Sequence, residues 1–216
     1  KNLGKLQNYL RNVLYPTAAG YIAQTEKARE IACTNKWNKN TITIGNPINS
    51  VSDLQHSGKE NILLTIGRLI PTKHIDQLIH IFKNINNNLW KLIIIGGNAK
   101  KKKLLEEYKE LVQQLGLDGK IQLIGACQNV EYYYRKSKIF AFTSSSEGFP
   151  NVIGEAMSFG LPVIAFDCVA GPSDLILDGE TGFLIKERDQ KLYENKLNKL
   201  MVDPGLRKRL GVNSLE

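Results

Sequence analysis

Long apolar runs are missing from this chain. No window approaches the ~18 consecutive apolar residues that a membrane span needs, so no transmembrane segment is expected. No charged-then-apolar leader stands at the start, and the first residue is Lys1, not Met; a fragment of a longer protein is expected, with Leu215-Glu216 fitting a cloning scar. Cysteine is scarce: Cys33, Cys127 and Cys168 are odd in number, far apart and without metal-like spacing, so reduced thiols in a cytosolic protein are the expectation. No Asp-x-Asp element occupies a strand-end loop, and His56, His74 and His80 are scattered, which argues against a resident metal. Internal repeats and low-complexity segments are absent as well.

Charge is present in excess, with a net +8 over 216 residues. It clusters only at Lys100-Lys101-Lys102-Lys103, ahead of a helix, and no aromatic residues interleave it to stack bases. A nucleic-acid partner is therefore not expected. The run reads first as a solvated helix start. Attraction to an anionic membrane surface is the second reading, since each basic residue near a bilayer adds about 1 kcal/mol. The length suffices for one good core, or a core with an appendage.

From Asn61 onward, short apolar runs alternate with helical stretches. Strands are predicted over 62–66, 92–95, 121–124, 139–142, 163–166 and 183–185, all continuously apolar, as strands covered on both faces are. Ile75, Leu78, Ile79, Phe82 and Ile85 form one helical face between the first two strands. Leu104, Leu105, Tyr108, Leu111, Val112 and Leu115 form another after the second strand, ended by Gly116. This alternation predicts an α/β fold, a Rossmann-like doubly wound parallel sheet with ligands at the C-terminal strand ends. Residues 1–45 differ: helices are expected over 3–13 and 25–32, with short strands at 21–23 and 42–44. The turn Gly45-Asn46-Pro47-Ile48-Asn49 follows. Tyr132-Tyr133-Tyr134 reads as a helix face packing on the sheet, with base stacking as the lesser alternative.

The segment Ser144-Ser145-Ser146-Glu147-Gly148-Phe149-Pro150-Asn151-Val152-Ile153-Gly154-Glu155-Ala156-Met157 carries the most chemistry. It joins the strand 139–142 to a helix ended by Gly160 and followed by Pro162. A strand, a Gly-containing turn and a helix start gather backbone N–H groups around one point, a natural anion site. Glu147 and Glu155 flank it. Carboxylates repel phosphate, so they are expected to read hydroxyls further out. Hydroxyls on both sides of a phosphate describe a nucleotide-sugar.

These residues resemble the donor-site signature of retaining glycosyltransferases with the GT-B fold, nearest to family-4 enzymes that build bacterial polysaccharides and glycolipids, including capsule and lipopolysaccharide. Thr65-Ile66-Gly67-Arg68-Leu69 with Lys73 is similar to that family's Gly-Arg-Leu…Lys element. Gly171-Pro172-Ser173-Asp174-Leu175-Ile176 and Asp178-Gly179-Glu180-Thr181-Gly182-Phe183-Leu184 resemble its closing βα unit. The resemblance implies the C-terminal half of a GT-B fold. Residues 1–45 would be the tail of an N-terminal acceptor domain, 46–60 the interdomain linker, and 61–216 the donor-binding domain.

The resemblance also implies roles. Arg68, as a fork, and Lys73, as a mobile point charge, would neutralise the departing nucleoside diphosphate. Glu147 would hydrogen-bond the donor sugar, making Arg68, Lys73 and Glu147 the catalytic set. The amides of Gly148, Phe149, Pro150 and Asn151 would contact sugar and phosphate, with Gly67 and Val152 completing the donor contacts. Glu155 would take both ribose hydroxyls, and Gly148 would let the backbone approach the ligand. The base would lie near Asn129 and Val130. His74 stands where the family has Gly, which would narrow the loop.

Implied overall are metal-independent transfer from a nucleotide-sugar, with a UDP-sugar favoured, and a glycan or lipid-linked acceptor. The location implied is cytoplasmic, peripheral to the inner face of the plasma membrane. The isolated chain would be nearly inactive. Competing readings are a glycosidase built on Glu147 and Glu155, a dehydrogenase on Gly96-Gly97-Asn98, which lacks the three-glycine spacing, and a non-catalytic nucleotide-binding domain.

Overall fold

The computed structural model describes residues 4–49, 51, 58–99 and 103–215. His56 and lysines 100–102 of the basic run lie outside the described residues; Lys103 directly precedes a helix.

The main body is one six-stranded sheet, parallel throughout, of β3 (Ile62–Ile66), β4 (Lys91–Ile95), β5 (Ile121–Gly125), β6 (Ile139–Phe142), β7 (Val163–Asp167) and β8 (Gly182–Lys186). Their order across the sheet is β5-β4-β3-β6-β7-β8. The predicted strands agree to within one residue at each end. Continuous apolarity arises from burial on both faces, with successive side chains alternating between two cores. Leu63, Leu92, Ile94 and Ile164 face α3 (Ile75–Ile85), α4 (Leu104–Gln114), α8 (Gln190–Val202) and α9 (Pro204–Asn213). Leu64, Ile93, Phe140 and Val163 face α5 (Val130–Lys136) and α6 (Asn151–Ser158). The edge strand β5 is the exception, with Gln122 and Ile124 exposed, because no described helix covers that face of it. A short helix, α7 (Pro172–Leu175), links β7 to β8.

The N-terminal segment holds α1 (Lys5–Leu14), α2 (Glu26–Thr34) and a two-stranded parallel sheet of β1 (Tyr21–Ala23) and β2 (Thr41–Thr43). β2 starts and ends one residue before the predicted strand, although the Ile44 N–H still reaches Ala23 O at 2.8 Å. The apolar side of α1 is uncovered: Leu6, Tyr9, Leu10, Val13 and Leu14 are all exposed.

Among the described residues no helix is long and apolar enough to cross a membrane, and no His/Cys/Asp/Glu cluster could hold a metal.

Candidate functional site

The strand order reverses between β3 and β6, the chain leaving these neighbours toward opposite sides. Such a switch point, at the C-terminal strand ends, is where doubly wound sheets bind ligands. The Gly67-Arg68 loop leaves β3 there, and the Ser144–Pro150 stretch (144–150) leaves β6 beside it. The first loop is pinned to the next strand: Gly67 N–H donates to Ile95 O at 2.9 Å, and Leu69 N–H to Gly97 O at 3.0 Å. Gly96 makes this approach possible, because a Cβ there would lie 1.9 Å from Gly67 O. Leu69 is fully buried while Arg68 is exposed, and no described carboxylate pairs with the guanidinium.

A 3-10 turn, Pro71–Lys73, follows Arg68 and ends at His74, whose φ of 48° is left-handed. That conformation is the physical reason a glycine suits this position; for a histidine it costs roughly 1–2 kcal/mol. His74 does more than narrow the loop: its Nε2 shares a hydrogen bond of 2.8 Å with Ser145 Oγ. Ser145 N–H donates to Thr72 O at 2.9 Å, and Thr143 Oγ1 donates to Lys73 O at 2.8 Å. The two loops are therefore laced together. Within the lacing, Lys73 Nζ donates to Glu147 Oε1 in an ion pair. Both side chains are mostly covered, at 16% and 14% exposure. Lys73 is thus a held cation, in contrast to the mobile one expected. The reason is a partner 74 positions away that the sequence does not place beside it.

The turn into α6 narrows the expected set of amides. Pro150 has no N–H, and that of Asn151 is taken by Phe149 O at 3.1 Å, which leaves Gly148 and Phe149 without a bond to any described residue. A Cβ on Gly148 would meet only Gln24 Oε1 at 3.8 Å among the described residues, and its φ is not left-handed, so no described residue requires a glycine there. Pro150 packs on Gly171, where a Cβ would lie 2.3 Å from Pro150 Cδ. The closing βα unit works structurally: Asp178 Oδ1 accepts from Leu184 N–H at 3.0 Å, and Thr181 Oγ1 from Leu177 N–H at 3.0 Å.

Glu155 lies on the second turn of α6, where Tyr134 Oη donates to its Oε2 at 2.9 Å. It lines a cleft of about 440 Å³ walled by Pro47 and Ile48, by Val130 and Tyr134 of α5, and by Asn151. Gly67, Arg68, Lys73, Glu147 and Gly148 do not line it. The predicted donor residues therefore fall into two groups, one at the switch point and one in this cleft. Asn129, placed near the base, uses its side-chain oxygen to cap α5 at Tyr132 N–H, 3.3 Å. Cys168 lies close enough to feel the Glu147 charge. Burial first, and that charge second, push its thiol up to about 12, so it stays protonated at neutral pH.

Sequence reasoning missed three contributors. Tyr134 is fully buried and stacked on Phe159 at 5.2 Å and 11°; the sequence reading, sheet packing with base stacking second, does not include its bond to Glu155. Gln24 and Asn46 form an amide chain into the site: Gln24 Nε2 donates to Asn46 Oδ1 at 2.6 Å, and Asn46 Nδ2 to Asn151 Oδ1 at 2.8 Å. Glu26 N–H also donates to Asp174 Oδ1 at 2.7 Å, which joins the N-terminal segment to α7. The Asn-Pro turn was the one available signal.

Residues 49–216 match the family model described as glycosyl transferases group 1. The chain belongs to that family. It is 34% identical over 177 residues to the amylovoran biosynthesis glycosyltransferase AmsD of Erwinia amylovora, covering 79% of this chain and 49% of the relative. A second relative, from Campylobacter jejuni, is an α-1,4-N-acetyl-D-galactosaminyltransferase named for a GalNAc-containing, diphospho-undecaprenol-linked glycan. It is 29% identical over 219 residues, covering 97% of this chain and 58% of the relative. Among solved structures, a variant of S. aureus TarM in complex with fondaparinux, α-GlcNAc-glycerol and UDP superimposes with a TM-score of 0.85. It is 26% identical and covers all of this chain and 44% of that one. The chain thus spans about half the length of these relatives. Its six-stranded sheet is the Rossmann-like C-terminal half of a GT-B fold, as the motifs implied. Family membership removes the dehydrogenase and glycosidase readings.

Proposed function

We propose that the chain is the donor-binding domain of a retaining, metal-independent glycosyltransferase. It takes a nucleotide-sugar, a UDP-sugar in preference, for transfer to a polysaccharide or lipid-linked glycan. The observation that carries this is the meeting at the switch point of Arg68, which has no partner among the described residues, with a Lys73–Glu147 ion pair. Arg68, Lys73 and the free amides of Gly148 and Phe149 meet the diphosphate charge as it grows on the leaving group. Glu147 holds Lys73 and accepts from the donor sugar; Glu155 takes the ribose diol in the cleft. The bond from the anomeric carbon to phosphate oxygen breaks as the acceptor oxygen bonds to the same face, and the acceptor proton leaves with the diphosphate.

The names of the relatives support this reading, one with a lipid-linked glycan and one with UDP bound. Residues 1–45 are then the end of an acceptor domain, 46–60 the linker and 61–216 the donor domain. This chain alone holds donor but transfers little sugar, because the acceptor wall of the cleft is incomplete. The complete enzyme works in the cytoplasm at the inner face of the plasma membrane, where its acceptors and the basic run meet anionic lipid. Calorimetry with UDP and GDP in excess chelator should show binding of at least one. No heat and no NMR shift for either at millimolar ligand would overturn the proposal.

A further inference from the structure

Glu155 is a long side chain on a partly open helix face, and a carboxylate that must meet two neighbouring hydroxyls has to be presented at a set angle. Tyr134 supplies the constraint. Its ring is 1% exposed, stacked on Phe159 and tilted against Phe140 at 6.0 Å, so the phenol cannot turn away. Its hydroxyl has two acceptors in reach, Glu155 Oε2 at 2.9 Å and Val152 O at 3.4 Å; the shorter, charged one takes the proton. Burial, and then the Glu155 charge, raise the phenol far above its usual pKa, so it remains a donor. Glu155 Oε1 has no donor among the described residues, and the second lone pair of Oε2 is also left over.

We propose that Tyr134 is a positioning residue: its hydroxyl locks Glu155 in the geometry that accepts both hydroxyls of a ribose, and so sets the preference for ribonucleotide over deoxyribonucleotide donors. The inference rests on the reading of Glu155 as the ribose acceptor. Tyr134 acts through the carboxylate, which its hydroxyl holds in place.

The test uses Tyr134→Phe, which keeps the ring and its stacking. The 216-residue chain and the variant are titrated by calorimetry with UDP and 2′-deoxy-UDP, or with GDP and 2′-deoxy-GDP if guanine is the base held. The unaltered chain should prefer the ribo form by about tenfold, the worth of a hydrogen bond to a charged group. In Tyr134→Phe the ribo form should weaken about five- to tenfold and the deoxy form, which keeps one of the two hydroxyls, by clearly less, so the ratio falls toward one. On a Glu155→Gln background, Tyr134→Phe should add nothing further. Equal weakening of both nucleotides would mean a merely structural role and overturn the proposal. So would an unchanged ratio in a variant that still binds and discriminates, which would leave the Glu155 reading intact. A nucleotide that binds without ribo preference in the unaltered chain would overturn both.

Discussion

Replacing Gly96 with alanine should loosen the fold and blunt nucleotide binding together. The new Cβ would sit 1.9 Å from Gly67 O, 3.0 Å from Gly67 C and 3.3 Å from Leu69 Cδ2. Carbon and oxygen rest no closer than about 3.3 Å, so the ends of β3 and β4 must part by about 1.4 Å. The obstacle is backbone, so no side-chain rotation relieves it. Such a shift stretches the Gly67-to-Ile95 and Leu69-to-Gly97 bonds, now 2.9 and 3.0 Å, beyond hydrogen-bonding range. Two bonds at about 1 kcal/mol each, with about 1–3 kcal/mol of overpacking strain, sum to roughly 3–5 kcal/mol. For a chain of this length, that lowers Tm by about 6–20 °C. Arg68 lies between the two displaced residues, and ~1 Å of misplacement costs on the order of 100-fold in rate. Melting followed by circular dichroism, with calorimetric titration of UDP, reads both effects. Gly119→Ala is the control, since a Cβ there meets nothing within 4 Å. A Gly96→Ala protein that melts within ~2 °C of the parent and binds UDP as well would refute the reasoning.

Arg68→Ala in the complete enzyme should lower kcat/KM by several kcal/mol of transition-state stabilisation while leaving Tm unchanged, because the guanidinium is exposed and has no described ion-pair partner; near-normal turnover would contradict the transferase mechanism. Lys59 is held down to about 8 by burial, although its Nζ donates to Phe159 O at 3.1 Å. Between pH ~8 and ~10.5 the unfolded chain binds a proton that the folded one does not, so this residue's contribution to stability improves as pH rises through that window. Lys59→Met should therefore stabilise by about 1–2 kcal/mol at pH 7, with the advantage fading toward pH ~10.5; denaturant melts across that range would show a constant difference if the lysine is not strained.

The sheet was legible because burial on both faces writes itself locally: a strand such as Ile62–Ile66 can hardly be anything else. The motif loops were legible because glycines and a helix start mark an anion site in a few adjacent residues. What stayed hidden was joined over distance. Lys73 and Glu147 are 74 positions apart and Tyr134 and Glu155 are 21, and no periodicity announces either contact. The tyrosine triplet illustrates the limit: Tyr132 is 51% exposed and Tyr134 is buried, yet three identical letters carry no hint of which one holds the carboxylate. His74 hid differently, since a left-handed backbone at a histidine runs against its own steric preference.

The amide chain from Gln24 through Asn46 to Asn151 has an optical consequence. Of the two tryptophans in the chain, Trp37 belongs to the N-terminal segment, edge-on to Tyr15 and Tyr21 at 6.0 Å with the Arg11 guanidinium 4.1 Å above its ring. Trp90 lies buried just ahead of β4, at the end of the sheet away from the motif loops. One fluorophore thus stands on each side of the seam that the amides close, Trp37 packed among residues of its own segment. Emission and quenching from Trp37, with Trp90 as an internal standard, give a label-free view of whether that segment keeps its own packing when a nucleotide occupies the start of α6.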